Sequence, residues 1–188
     1  MTSPTERGAL KVGAVIITMG TRPGELRALI DSIAKQDGDP VDVVVVGNGS
    51  PVPDLAGFPC PVRTVELPEN LGIPGGRNVG IAAFRADSRR ADATAAPEDA
   101  GVSAGSGPFD VDILLFLDDD GLLAHHDTAQ LCRDAFAADP ELGIISFRIA
   151  DPESGVTQRR HVPRLRASDP MRSSRVTTFL GGANAVRT

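Results

Sequence analysis

Three adjacent carboxylates, Asp118, Asp119 and Asp120, follow directly on the apolar run ILLFL at 113–117. Neighbouring carboxylates repel one another and lose hydration when they are buried, so folding alone gives no reason to place them at the end of a strand. A hard cation such as Mg²⁺ removes the conflict, because it takes oxygen ligands and sits between one or two carboxylates and the phosphates of a substrate. A solvated acidic turn is the alternative. The position at the carboxyl end of a strand, where open α/β sheets bind ligands, favours the metal site.

A glycine-rich segment, ENLGIPGGRNVG at 69–80, supplies a second group of candidate residues. Its glycines permit tight turns and a close approach of the backbone to a ligand. Arg77 offers the forked donors that bind phosphate oxygens in pairs. Taken alone, however, the segment is more typical of an ordinary glycine-rich turn with a surface arginine.

Alternating strand and helix patterns must position both groups. The β-branched run at 12–18 is typical of a strand buried on both faces, and a helix with Pro23 as an early residue follows it. Further strands are predicted at 41–46, 62–67, 111–117 and 143–149, a β-type run at 176–180, and further helices at about 75–86 and from Asp127, where Gln130 completes a capping box. This alternation predicts βαβ units and one largely parallel sheet.

The carboxyl ends of parallel strands share one edge of a sheet. The loops at 19–22, 47–50 and 118–121 each follow a predicted strand, so we expect them to lie together. The ligand crevice of such a sheet is expected on the same edge.

The composition is that of one globular domain, residues 1–188, with 41% hydrophobic and 23% charged residues. A formal charge of −6 argues against a nucleic-acid binder, which normally has a basic surface. No apolar run has the length of a signal peptide or a bilayer span, so we expect a soluble, cytoplasmic chain without a transmembrane segment. Cys60 and Cys132 match no metal spacing and are interpreted as reduced thiols, with a disulfide left open. The segment at about 87–108 is predicted to be a flexible surface insertion.

Four segments in this order resemble the family 2 glycosyltransferases: VIITMGTRPGELRALIDSIAKQ, VVVVGNGS, ENLGIPGGRNVGIAAF and ILLFLDDDG. The resemblance covers roughly residues 10–150 and continues into TFLGGANAVRT. It implies the nucleotide-sugar-binding fold called GT-A, a three-layer α/β architecture with a mostly parallel sheet and helices on both faces, here expected to be incomplete at the carboxyl terminus. The implied reaction is metal-dependent, inverting transfer of a sugar from a nucleoside diphosphate to an acceptor hydroxyl on a glycan, a lipid-linked molecule or a small molecule.

The resemblance also implies roles for individual residues. The acidic turn corresponds to the family's DxD motif, with Asp120 as the direct ligand of Mg²⁺ or Mn²⁺ and Asp118 facing the ribose or the water shell of the metal. Asp119 joins the nucleotide contacts or simply points to solvent. The implied nucleotide-sugar contacts are Thr18, Met19, Gly47, Asn48, Asn70, Gly72, Arg77, Asn78, Asp118 and Asp119.

Two features depart from the family pattern. The second strand usually ends in an aspartate that helps to recognise the nucleobase, whereas this chain has Gly47 there, with Asn48 as a substitute hydrogen-bonding group and the base left open. The family's general base, an Asp or Glu, comes after a segment matched here by Gly181, Gly182, Asn184 and Arg187, so it is expected beyond Thr188.

Other functions remain open at this point. The absence of that base motivates a non-catalytic module that binds a nucleotide sugar, and TMGTRPGE is a faint match to the signature of nucleotidyltransferases. A dinucleotide-binding oxidoreductase is disfavoured, because GVSAGSG lies in the insertion without a preceding strand. His125 and His126 are interpreted as surface residues, and the basic residues at 159–161 as a phosphate-binding or simply solvated loop.

Overall fold

The computed structural model describes residues 9–85, 108–161, 169, 171–176, 178–179 and 181–188. Within these residues it contains six strands, three α-helices and a short 3-10 turn at Arg159–His161. In chain order the strands and helices are β1 (Val12–Thr18), α1 (Pro23–Ala34), β2 (Val41–Asn48), β3 (Val62–Leu67), α2 (Gly72–Ala82), β4 (Ile113–Asp118), α3 (Thr128–Ala138), β5 (Ile144–Ser146) and β6 (Ala183–Arg187).

The strands form one sheet in the order β3-β2-β1-β4-β6-β5. Strands β3, β2, β1 and β4 run parallel to one another, and β6 runs antiparallel between β4 and β5. The continuous β-branched runs of β1 and β2 suit such a sheet, since its central strands are covered on both faces. The predicted α/β class, with a mostly parallel sheet of the GT-A type, is confirmed.

Helices cover both faces of the sheet and create two apolar cores. Val12, Ala14 and Ile16 of β1 pack into the core beneath α1 and α3, whereas Val15 packs into the core beneath α2. This alternation is the two-residue period of a strand. The apolar stripe of α1 is fully buried at Leu26, Leu29, Ile30 and Ile33. The sheet is therefore the rigid middle layer from which the loops of the site emerge.

Helix α2 and the residues just after it lie unusually close to β1, because a glycine stands at each of two contacts: Gly80 against Val15, and Gly13 against Phe84. A Cβ atom added at Gly80 would lie well inside van der Waals contact with the side chain of Val15. A Cβ atom at Gly13 would come 2.6 Å from the Phe84 ring. Gly80, which belongs to the sequence pattern shared with the family, thus has a packing role in holding α2 against β1.

The predicted first residue of α2 and the predicted cap of α3 need correction. Helix α2 begins at Gly72 rather than near residue 75. The N–H of Gly72, whose φ is +70°, donates to the Asn70 side chain at 2.8 Å, so the turn at residues 70–72 leads directly into the helix. Helix α3 does begin after Asp127, but the predicted capping box is wrong. Gln130 bonds Asp134 instead, and the side chain of Gln36, at the end of α1, accepts the N–H of Ala129 at 2.9 Å. A tertiary contact has replaced the local cap.

The final strand was not predicted. Of the β-type run at 176–180, the described residues 176, 178 and 179 are not in a strand, while Thr177 and Leu180 lie outside the described residues. The last strand of the chain is instead β6. Of the predicted strand at 143–149, only the residues of β5 form a strand. The sequence of β6, ANAVR, has weak strand propensity. Its pairing with strands on both sides, and the burial of Asn184 and Ala185, determine its conformation.

The predicted insertion at 87–108 lies outside the described residues apart from Pro108. Its flanks meet in a bridge between Arg85 and Phe109, where the guanidinium lies over the ring at 4.4 Å from its centroid. Both cysteines are free, as predicted, and burial raises the pKa of the Cys132 thiol to about 12. No helix in the described part of the chain is long and apolar enough to cross a membrane.

Substitution of Gly80 tests the close packing of α2. We expect Gly80→Ala to lower the free energy of unfolding by about 1–3 kcal/mol, because the added methyl group overlaps Val15 and forces the helix outward. Gly24→Ala in α1 is the matched control, since nothing lies within 4 Å of its Cβ position, and it should leave stability equal or higher. Urea unfolding of both variants measures the difference; equal stability of the two would contradict the packing role.

Candidate functional site

The predicted loops converge at the carboxyl edge of the sheet. Strand register aligns Thr18 of β1 with Gly47 of β2, and Gly47 in turn with Glu66 of β3. On the other side, Ile17 is level with Asp118, the last residue of β4. The turn at 181–182 that precedes β6 covers the same edge, since the Asp118 N–H donates to the Gly182 carbonyl at 3.3 Å. The acidic turn therefore lies between the end of β1 and the turn that precedes β6.

Asp119 is the most enclosed of the three carboxylates, with 15% of its side chain exposed. It accepts a hydrogen bond from the Thr18 hydroxyl at 2.7 Å, and that hydroxyl accepts the N–H of Gly20 at 3.0 Å. The expectation that Asp119 points to solvent is wrong, because the side chain turns inward to hold the loop after β1. Thr18 is 1% exposed, so its hydroxyl positions this loop rather than offering an open ligand contact.

Asp120 lies at the rim of the site and pairs with Arg22. Both side chains are 51% exposed, and the same guanidinium is 3.9 Å from Asp119. Exposed ion pairs contribute little to stability, so this one can exchange with a ligand at little cost. Arg22 was not among the predicted site residues. The signal that could have found it is charge balance, because three carboxylates on one turn require more than one cation nearby.

Asp118 faces Arg77, whose Nη2 is 3.3 Å from the carboxylate. Arg77 extends from the first half of α2, is mostly buried and lies over the Phe116 ring, with its Cζ 5.6 Å from the centroid. Gly182 packs directly against the carboxylate, since a Cβ atom there would overlap its oxygens. Partial loss of solvent raises the pKa of Asp118; Arg77 opposes this, and the charges of Asp120 and Asp119 add to it.

Asn48 forms a latch between β2 and the loop before α2. Its side-chain amide donates to the Asn70 side chain at 2.9 Å and to the Gly72 carbonyl at 3.2 Å, and its oxygen accepts the N–H of Leu71 at 2.9 Å. The residue is 4% exposed. Both the amide hydrogens and the amide oxygen are thus used within the protein, and this buried side chain is not open to a nucleobase as an acceptor in place of the missing aspartate.

Gly47 has a steric reason for lacking a side chain. A Cβ atom there would overlap the backbone carbonyl oxygen of Ser50 and lie 3.1 Å from Val52. The loop at 47–52 folds back over the position from which the family's aspartate would extend. The structure therefore explains the departure that the sequence shows.

The remaining predicted residues divide between the rim and other parts of the fold. Met19 is 56% exposed at the rim, with its sulfur 4.0 Å from the Asn70 amide nitrogen. Asn78 is exposed on α2. Arg187 lies at the opposite end of β6, where it donates to the carbonyls of Phe136 and Asp139 at the end of α3. Arg187 is thus a helix-capping residue and does not reach the site.

The donor set at this edge fits a hard divalent cation that shares its coordination with a substrate. The structure gathers no group of three metal-ligating side chains among the described residues. Asp118 and Asp120 nevertheless remain partly exposed on one turn, at 60% and 51%, and each pairs with one arginine, Arg77 and Arg22 respectively. One or two carboxylates completed by phosphate oxygens and water are what Mg²⁺ commonly takes. The exposed His125 and His126 brace the end of α1 through their backbone carbonyls.

Comparisons with known proteins bear on the family and the fold. The family model described as glycosyl transferase family 2 matches residues 14–88. The resemblance to family 2 is confirmed. The matched span includes the loop after β1, the Asn48 latch and Arg77, and it ends before the acidic turn. The roles of the three carboxylates therefore depend on their geometry alone. No curated protein sequence matches the chain.

Solved structures of S. aureus TarS share the fold. The crystal structure of S. aureus TarS 1-349 superimposes with a TM-score of 0.57 at 19% identity, covering 95% of this chain and 47% of that one. Full S. aureus TarS gives 0.53 at 18% identity, covering 82% and 24%. TarS 1-349 in complex with UDP-GlcNAc gives 0.51 at 20% identity, covering 79% and 37%. The chain thus spans about half the length of TarS 1-349 and shares its fold.

The raised pKa of Asp118 predicts a stability change with a definite sign. Between the ordinary and the raised pKa the folded chain binds more protons than the unfolded chain, so its stability falls as the pH rises through that window. We expect Asp118→Asn to unfold at a higher temperature than wild type at pH 7, and the gain to disappear as the pH falls and the wild-type carboxyl is protonated. Asp37→Asn, on an exposed loop, is the control. Lower stability of Asp118→Asn at pH 7 would contradict this assignment.

Restoring the family's aspartate tests the steric account of Gly47. We expect Gly47→Asp to lower the free energy of unfolding by about 1–3 kcal/mol, because its Cβ displaces the Ser50 carbonyl. Gly143→Asp adds the same side chain where nothing lies within 4 Å, and it should have a much smaller effect in the same denaturant titration. If Gly47→Asp is as stable as wild type, the loop at 47–52 does not exclude a side chain.

Proposed function

We propose that this chain binds a nucleoside diphosphate sugar at the carboxyl edge of its sheet and belongs to an inverting, metal-dependent glycosyltransferase that transfers the sugar to an acceptor hydroxyl. The observation that carries the proposal is that three carboxylates and two guanidinium groups meet at this edge, and that the side chains of Asp118, Asp120 and Arg22 are at least half exposed there. The family match and the likeness to a structure described as a complex with UDP-GlcNAc support it.

Arg77 is the residue best placed to bind the diphosphate. Its contact with the Phe116 ring fixes the direction of a long side chain and leaves the guanidinium at the edge of the site. A guanidinium held in this way binds two phosphate oxygens with little further loss of side-chain entropy. When the diphosphate binds, Arg77 moves its hydrogen bonds from Asp118 to the phosphate or shares them between the two. Asp118 is then available on the side that faces the ligand.

Asp118 and Asp120 would hold the cation, Mg²⁺ or Mn²⁺. When bound, this ion neutralises negative charge on the departing diphosphate. For Asp120 to bind the cation, its ion pair with Arg22 must break. This costs little free energy, because both side chains are half exposed. Thr18 and Asp119 keep the loop after β1 in place throughout, because their hydrogen bond is enclosed.

The transfer to an acceptor and its stereochemistry are proposed from the resemblance to the family. The described residues supply the donor half of the reaction: Arg22 and Arg77 for phosphate, Asp118 and Asp120 for the cation. A base on the acceptor side is needed to deprotonate the attacking hydroxyl. We assign that role to none of the residues at this edge, since each of the three carboxylates already contacts Thr18, Arg22 or Arg77.

Calorimetric titration with UDP, dTDP and GDP, each with and without Mn²⁺, tests donor binding. We expect one nucleotide to bind in a manganese-dependent manner, and Asp120→Ala to abolish the manganese dependence because the rim carboxylate is lost. Asp134→Ala removes an exposed carboxylate from α3 and should bind as wild type does. Equal manganese-dependent binding by Asp120→Ala and wild type would remove the metal site from the proposal, and no binding of any nucleotide to wild type would remove the donor site.

A further inference from the structure

A shallow cavity of about 520 Å³ lies along the same sheet edge as the acidic turn, lined by Gly49, Ser50, Pro51, Glu66, Leu67 and Pro68. It sits at the ends of β2 and β3, two to three strand spacings from β4, or roughly 10–14 Å from the end of that strand. A nucleoside diphosphate whose phosphates lie at the acidic turn extends its base along this edge. The cavity is a shallow, open space into which such a base would fit, lined by described residues.

Glu66 presents a carboxylate to this cavity from the strand next to Gly47. The two residues are register partners in parallel strands, so their side-chain positions lie on the same face of the sheet. Gly47 itself cannot carry a side chain, because the Ser50 carbonyl occupies the position of its Cβ. An acidic group at this row of the edge can therefore come from β3 but not from the end of β2.

The Glu66 carboxylate is held in one orientation. Its Oε1 accepts the N–H of Val52 at 2.7 Å, which ties it to the loop that fills the space above Gly47. Its Oε2 forms no hydrogen bond with the described part of the chain. Ser50, on the wall of the same cavity, has a buried hydroxyl that also lacks a hydrogen-bond partner among the described residues. Two polar groups at the cavity thus retain unused hydrogen-bonding capacity.

We propose that Glu66 is the specificity-determining carboxylate for the donor's nucleobase, accepting a hydrogen bond from a ring N–H through Oε2. The proposal rests on the proposed function, since it requires a nucleotide at this edge. A carboxylate acceptor selects a base that carries an N–H in the ring next to a carbonyl, as uracil, thymine and guanine do. Cytosine presents an unprotonated ring nitrogen at that position, which the ionised carboxylate repels.

Glu66→Gln is the variant that separates recognition from structure. The glutamine oxygen can still accept the N–H of Val52, so the loop is retained, while its amide places a donor where Oε2 stood. We expect about a tenfold loss of affinity for the preferred ring-N–H nucleotide among UDP, dTDP and GDP, because a charge-assisted hydrogen bond is lost. The affinity for CDP should stay equal or rise. The ratio of the affinity for the preferred nucleotide to the affinity for CDP should therefore fall.

The experiment is calorimetric titration of the full chain with these four nucleotides and with pyrophosphate, all in the presence of Mn²⁺. Pyrophosphate has no base, so its affinity should be the same for wild type and Glu66→Gln. Glu141→Gln, an exposed position beyond α3, is the matched control and should change no affinity.

The outcomes separate the two hypotheses. In one outcome, wild type binds nucleotides while Glu66→Gln keeps the same ratio of affinities for the ring-N–H nucleotide and CDP. That result would overturn the role of Glu66 and leave the proposed function standing. An equal loss for nucleotide and pyrophosphate would overturn it as well, since Glu66 would then only support the loop. Failure of wild type to bind any nucleotide or pyrophosphate would overturn both.

Discussion

The placement of three carboxylates on one turn is the constraint on which the site depends. Their mutual repulsion must be offset, and the fold offsets it from three directions: a buried hydroxyl for Asp119, and a guanidinium each for Asp120 and Asp118. The two guanidinium groups come from the start of α1 and from α2, so the turn connects elements that lie on opposite faces of the sheet. Because the hydrogen bond between Thr18 and Asp119 is enclosed while the carboxylates of Asp118 and Asp120 remain at least half exposed, the same arrangement provides both a fixed point and exchangeable charges.

Close backbone approach is the second physical feature of this edge. Gly182 leaves room for the Asp118 carboxylate, and Gly80 lets α2 reach β1 so that Arg77 can face that carboxylate. Gly47 leaves room for the loop that Val52 and Glu66 tie down. Each glycine marks a place where a methyl group would separate two segments that the site needs together. The glycines of a binding pattern therefore act here through packing as much as through contact with a ligand.

Several residues that the family pattern associates with ligands serve mainly to position others. Asn48 uses its whole amide to join β2 to the loop before α2, and Thr18 joins the loop after β1 to the acidic turn. A hydrogen bond of this kind leaves the residue essential to the geometry while removing it from direct recognition. Such a division cannot be read from a motif, since the same polar residue fits either role until its neighbours are known.

The sequence by itself determined the layer architecture and the edge on which the site lies. The β-branched runs of β1 and β2, the apolar stripe of α1 and the alternation of strand and helix require a covered, mostly parallel sheet, and such a sheet brings the ends of β1, β2 and β4 together. These signals are local and periodic, and burial reinforces them.

Only the tertiary structure decided which groups meet at that edge and where the last strand lies. Strand β6 has a weak local preference and is defined by pairing with β4 and β5, and the cap of α3 comes from Gln36 rather than from its own sequence. The partnership of Arg22 with Asp120 joins residues 98 positions apart, and that of Glu66 with the loop over Gly47 depends on strand register and a folded-back carbonyl. Contacts between segments distant in the chain leave no periodic trace, because they are fixed by packing in three dimensions.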